Sequence, residues 1–89
     1  MKPVRWTFHA LENLAEREID RGEAEGTLTE PEFIVSSPPS RQVYMRRYWD
    51  TILEQLMLMR VIVEETAAEL VVVSVYKTSQ LGKHLKGLV

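Results

Sequence analysis

The ten residues Glu69-Leu-Val-Val-Val-Ser-Val-Tyr-Lys-Thr78 constrain the fold more than any other stretch of this chain. A strand with one wet face alternates apolar and polar side chains, whereas this run is almost unbroken in β-branched and apolar residues. It therefore reads as a central strand covered on both faces. The chain has 89 residues, of which 45% are apolar, enough for one domain over 1–89 with one modest core. It has no cysteine, which excludes disulfides, thiolate zinc sites and cysteine nucleophiles and suits a reducing compartment. No apolar run approaches the roughly 20 residues that span a bilayer, and Met1-Lys-Pro-Val-Arg-Trp6 lacks the apolar segment of a signal peptide. The expectation is a cytoplasmic protein without a membrane partner.

Upstream of the central strand the pattern changes twice. Val4 to Thr7 suits a short edge strand, with the Thr7 hydroxyl placed to cap a following helix. Phe8, Leu11, Leu14, Ala15 and Ile19 recur at spacings of three and four, which predicts a helix to about Asp20 with these residues on its buried face. Gly22 permits a break. Glu23 to Thr29 predicts a weaker helix with Ala24 and Leu28 as core contacts, stopped before Pro31.

Phe33-Ile-Val35 reads as a short extended segment at best, and Ser36-Ser-Pro-Pro-Ser40 as a loop, because two prolines cannot join a sheet interior. Arg41 to Trp49 alternates. Val43, Met45, Arg47 and Trp49 share the face expected to meet the core, and Tyr44, Arg46 and Tyr48 share an aromatic and basic face. Ile52, Leu53, Leu56 and Met57 have helical spacing, yet Val61-Ile-Val63 favours strand. The reading adopted is a turn or single helical turn over 50–54 and a strand from about Gln55 to Glu64, joined to the central strand by the polar hairpin 64–69. The basic segment from Ser79 to Val89, with two glycines, reads as a docked or frayed tail. The sum is an α+β fold: one or two N-terminal helices on one face of a three-stranded antiparallel meander, with the N-terminal strand available to join it.

Charge is unevenly divided. Residues 1–35 carry four basic and eight acidic side chains, a balance of −4, and residues 36–89 carry seven and five, a balance of +2, summing to the net −2 of the whole. A basic face in the later half follows as an expectation, with two solvated surfaces of ordinary sign as its rival.

His9-Ala10 opening the first helix, Arg17 and Ile19 further along, Leu28 and Pro31-Glu32 closing the second helix, and the strand Val71-Val-Val-Ser-Val-Tyr76 occur in an order that resembles a small bacterial family. This is the domain-of-unknown-function family numbered 4258, itself similar to RelE- and ParE-like toxins of toxin-antitoxin systems. The resemblance spans roughly residues 6 to 79. Asn13 stands where that family often has arginine, and Glu18 where it often has glycine.

The resemblance implies a RelE-like α+β fold and, by analogy, a toxin that cleaves RNA without a metal. Such cleavage needs a base for the 2′-hydroxyl, cations for the charge on phosphorus and an acid for the departing 5′-oxygen. His9, Arg17, Arg46 and Tyr76 are the candidate catalytic residues, with Arg47, Lys77 and Lys83 as phosphate contacts. His9 and Arg17 stand eight residues apart, about 12 Å along a helix axis, and can share a face.

Each candidate also has an ordinary reading, as a cap, a surface ion pair or a packed tyrosine. His9 and His84 without cysteine make no metal motif, and no cofactor fingerprint is present. The partners expected are an antitoxin protein and RNA or the ribosome. The rival readings are a non-catalytic protein-interaction module, or a degenerate family member that self-associates as a homodimer through an exposed strand edge.

Overall fold

The computed structural model describes residues 2–88. In chain order its elements are β1 (Val4–Trp6), α1 (Phe8–Glu16), α2 (Arg21–Thr29), β2 (Phe33–Ser37), β3 (Arg41–Asp50), β4 (Gln55–Glu65), β5 (Leu70–Thr78) and α3 (Leu81–Leu85). They form an α+β fold around one mixed sheet of five strands, ordered β1-β5-β4-β3-β2. No helix among the described residues is long and apolar enough to cross a membrane.

Four strands make an antiparallel meander, and β1 adds in parallel to the far side of β5. The sheet is larger than the sequence suggested by one strand. Phe33–Ser37 is a full edge strand, with Val35 opposite Val43 and Phe33 opposite Met45, and the loop narrows to the turn around Pro38 and Pro39. The middle of the sheet is β4, while β5 lies second from the edge, flanked by β1 only from Leu70 to Val72. β5 is nevertheless apolar on both faces, because helices lie on both sides of the sheet.

The ambiguous segment after Asp50 resolves as a turn over 51–54 followed by the strand β4, and the polar hairpin before β5 turns at 66–69. Here propensity and patterning agree, since Val61, Ile62 and Val63 are β-branched and alternate strictly between the two faces. Val61 and Val63 enter the helix-side core with Met59, Val72 and Val75, joined by Ala10, Ile19, Ala24 and Leu28. Ile62 points to the other side, where Val43, Met45 and Leu58 meet Leu85 of α3. The basic tail is therefore docked in part as α3, and Val89 lies outside the described residues.

Two details of α1 depart from its apolar spacing. The buried residues are Ala10 and Asn13, with Leu14 partly covered, while Phe8 is 77% exposed and Leu11 and Ala15 face outward. The helix also ends at Glu16 rather than near Asp20. Ile19 N–H bonds Leu14 O at 2.9 Å and Glu18 N–H bonds Ala15 O at 3.4 Å, with Glu18 at φ 52°. This is a Schellman turn, and the buried Ile19 returns against the partly covered Leu14. Asp20 then caps α2 by accepting from Glu23 N–H at 3.1 Å, as Thr7 caps α1 by accepting from Ala10 N–H.

The reason for the rotated face is the edge of β5. Beyond Val72, β1 has run out, and the extra residue Val73 forms a bulge against the Ile62/Val63 step of β4. The exposed backbone of Val75 is satisfied by α1 instead. Asn13 Oδ1 accepts from Val75 N–H at 3.0 Å and from the Ser74 hydroxyl at 2.9 Å, and the Arg17 guanidinium donates to Val75 O at 2.8 Å.

Asn13→Ala leaves the Val75 amide and Ser74 hydroxyl without their acceptor, a loss of about 1–3 kcal/mol, to be read from urea midpoints. Glu18→Gly should move stability the other way, by up to about 1 kcal/mol, because glycine occupies the left-handed region without the Cβ penalty while losing more chain entropy. An unchanged midpoint for Asn13→Ala would remove the edge-capping role.

Candidate functional site

The seven residues singled out from the sequence do not gather at one point. His9 is exposed on α1, and Arg17 is bound to the β5 edge. Arg46 lies on the helix side of β3, where it donates to Gly26 O at 3.1 Å and pairs with Glu23 at 3.6 Å. The approach is close enough that a Cβ on Gly26 would stand 2.5 Å from the Arg46 guanidinium. Tyr44 and Tyr48 pack into the same helix-side core. The face read as aromatic, basic and open is thus the one that the helices cover. Lys77, also on that side, donates to Glu18 O at 2.9 Å and to Asp50 at 3.2 Å.

Arg47 emerges on the opposite side, already committed to Glu32. Its Nε and Nη2 donate to the two carboxylate oxygens at 3.1 and 3.0 Å, and Glu32 also accepts from Arg47 N–H at 2.8 Å. These bonds hold the Glu32 carboxyl below its ordinary range and the guanidinium above its own. Lys83 is exposed on α3.

Tyr76 is the one proposed catalytic residue that sits in a cluster of chemically useful groups, and its companions were not among those picked out. The Arg60 guanidinium lies over the Tyr76 ring, 5.0 Å from its centroid, and the His84 ring meets the same tyrosine edge-on at 6.2 Å. The register explains the meeting. Tyr76 pairs with Arg60 across the β4–β5 ladder, both on the α3 side, and the Leu85 anchor of α3 holds the neighbouring His84 above them.

Arg60 is half-buried, and burial lowers its affinity for a proton. Its one side-chain hydrogen bond is from Nε to Met45 Sδ at 3.4 Å, and among the described residues it forms no ion pair. Desolvation, then the charges of Arg60 and Lys83, lower the pKa of His84, so its imidazole is neutral at pH 7.

A cation without a carboxylate, a neutral imidazole and a phenol thus share one sheet face, the group types that anion recognition and proton transfer use. Two signals for it were present in the sequence: Arg60 interrupts the apolar run from Leu56 to Val63, and His84 sits in the basic tail. Neither is placed beside Tyr76 without the strand register. Among the described residues no group of histidine, aspartate or glutamate side chains is arranged to hold a metal.

The family model described as a domain of unknown function, DUF4258, matches residues 6–77. The chain belongs to this family. The match ends after Tyr76 and Lys77, so Arg60 and Tyr76 fall within the family domain while His84 lies beyond the matched stretch. No curated protein and no solved structure matches the chain.

Since the folded protein holds His84 below the ordinary 6.5, the unfolded chain takes up that proton at higher pH. The folded state is therefore favoured less as pH falls through the unfolded value, and more as it rises. His84→Gln should flatten the fall in urea midpoint between about pH 7.5 and about pH 5. A wild-type profile without that fall, or one that His84→Gln leaves unaltered, would contradict the environment described for this imidazole.

Proposed function

We propose that the protein is a RelE-like toxin module that binds RNA on the α3 side of its sheet and cleaves it without a metal, through Arg60, Tyr76 and His84. The observation that carries this reading is the Arg60 guanidinium, half-buried beside a tyrosine and a histidine and lacking a carboxylate partner. Removing a cation from water is unfavourable unless something compensates, and a phosphate oxygen supplies what the protein does not. Most other basic groups of the sheet are already engaged, Arg5 by Glu69, Arg46 by Glu23, Arg47 by Glu32 and Lys77 by Asp50, and Arg41 is exposed at the far end of β3.

In this reading the neutral His84 imidazole takes the proton of the ribose 2′-hydroxyl, and the resulting oxygen attacks the adjacent phosphorus. Arg60 carries the added negative charge of the five-coordinate phosphorus. The bond from phosphorus to the 5′-oxygen breaks, and the Tyr76 hydroxyl protonates the departing oxygen, leaving a 2′,3′-cyclic phosphate. The phenolate then regains its proton from solvent, and the imidazolium returns its own. His9, Arg17 and Arg46, expected from the resemblance to act here, have no part in these steps, since they stand on α1, at the β5 edge and under α2.

The family assignment and the unpaired arginine also support a second reading, in which the same cluster holds an anionic group of a partner without cutting it. Turnover separates the two. Wild-type protein incubated with a short RNA oligonucleotide, and separately with ribosome-bound messenger, should yield cyclic-phosphate ends. Arg60→Ala and His84→Ala should each lower the rate by about 100-fold or more, while His9→Ala leaves it unchanged. Binding without cleavage by the wild type would move the assignment to the non-catalytic module. Cleavage indifferent to Arg60→Ala would remove the site altogether.

A further inference from the structure

The end of the molecule formed by the β3–β4 turn exposes large apolar side chains in a way that the RNA reading does not use. Ile52 is 80% exposed and Trp49 61%, and Leu53 and Leu56 are each nearly half exposed. Trp49 and Leu56 face one another across the ladder, so their side chains adjoin on one side of the sheet. Ile52 and Leu53 crown the turn between them. Monomeric proteins seldom leave such groups clustered in water without a use for them.

This tip is held firmly. The buried Asp50 accepts from Ile52 N–H at 3.0 Å and Leu53 N–H at 2.9 Å through one carboxylate oxygen, and from Lys77 and the Tyr48 hydroxyl through the other. Asp50 is kept ionised by these donors, the Leu53 amide first among them. The apolar groups are thus presented on a pre-set frame, which lowers the entropy cost of docking.

On the helix side of the sheet, across it from the Trp49–Leu56 pair, the tip borders a pocket of about 430 Å³ whose lining includes Ile52 and Trp49. Its walls carry four carboxylates: Glu18, Asp20, Glu23 and Asp50. Two cations reach this set, Lys77 at Asp50 and Arg46 at Glu23, leaving a local balance of −2. The side chain of Glu18 has no cationic partner among the described residues; it is the backbone oxygen of Glu18 that Lys77 binds. Burial and the charges of Asp50, Glu23 and Asp20 all push the Tyr48 phenol upward, as a negative potential in the pocket would.

We infer that the β3–β4 tip and this pocket together form a docking surface for a peptide segment of another protein that crosses the end of the sheet, one that carries apolar anchors for Trp49, Ile52, Leu53 and Leu56 and a lysine or arginine for the pocket. Charge complementarity selects this occupant. RNA and an anionic membrane surface would both be repelled by the carboxylates, and a purely apolar partner would leave the net −2 of the pocket uncompensated. The apolar contacts supply affinity and the pocket selects the sign of the partner's charge.

The test titrates the ¹⁵N-labelled full chain with two synthetic 12-residue helical probes, identical in their leucines and differing only in bearing lysine or glutamate elsewhere. The lysine probe should move the amide signals of residues 18–23 and 48–56, more weakly as salt is raised. Ile52→Ser and Leu56→Ser, both at exposed positions, should weaken it at least tenfold, and Glu18→Gln severalfold. Ile34→Ser, on the far edge strand, should leave binding unchanged. Equal binding of the glutamate probe, or signal changes confined to other surfaces, would overturn the proposal. So would a concentration-dependent dimer in sedimentation that Ile52→Ser abolishes, because the tip would then be an interface between copies of this chain.

Discussion

The backbone of Val75 sets much of the arrangement described above. A strand at the side of a sheet must pair its outward N–H and C=O groups, and β1 is only three residues long. Its parallel pairing closes at Val72, whose carbonyl oxygen accepts from both the Thr7 amide and the Thr7 hydroxyl. One turn of α1 later, Asn13 and Arg17 perform for Val75 what a longer β1 would have done. This fixes the helix along the strand, and with it the side that α1 turns inward. The Schellman turn at Glu18 then aims α2 across β3 and β4, over Arg46. An amide and a guanidinium that resemble functional groups in the sequence are therefore part of the sheet's hydrogen bonding.

The same constraint sorts the charges. With α1 and α2 on one side of the sheet, cations on that side meet the acidic first part of the chain, and Arg46 finds Glu23 while Lys77 finds Asp50 and the Glu18 carbonyl. The opposite side receives the short α3, whose charged side chain is Lys83, beside the neutral His84. Arg60 therefore faces no acid. The imbalance follows from topology: most of the acidic first part of the chain lies in and around the helices on one side, and the acid that reaches the other, Glu32, is taken by Arg47.

What could be read from the sequence was what depends on neighbouring residues. The strand over 70–78, the turn at 66–69, the tight turn after Asp50, the Thr7 cap and the burial of Ala24 and Leu28 each follow from a local pattern with a direct physical cause. What could not be read depends on partners distant in the chain. Periodicity located a helix at 8–16 but chose Leu11 and Ala15 for its inner face, because nothing local shows that a strand edge 60 residues away requires Asn13. Alternation in β3 separated Tyr44, Arg46 and Tyr48 from Val43 and Met45, yet both sets are covered, one by α2 and the other by α3. The alternation carried no mark saying which side would stay wetter. Arg60 and His84 were passed over for a related reason: each is unremarkable alone, and the register that brings them to Tyr76 links residues 16 and 8 positions apart.

The cluster on the α3 side has an internal dependence that its distances alone do not express. Tyr76 and Arg60 are fixed by the ladder, Arg60 on a strand paired along both sides and Tyr76 on one that beyond Val72 is paired to β4 alone and capped at Val75 by Asn13 and Arg17. His84 belongs to a helix of five residues, and an isolated helix of that length is unstable in water. Its position is set by tertiary contacts: Leu85 buried against Val43, Met45 and Leu58, with Leu81 partly buried beside it. Arg60 and Tyr76 are thus built into the sheet, whereas the imidazole is carried by a segment held through two leucines. Whatever loosens that apolar contact removes the imidazole first and leaves the arginine and the phenol in place, so the two parts of the cluster are separable in stability.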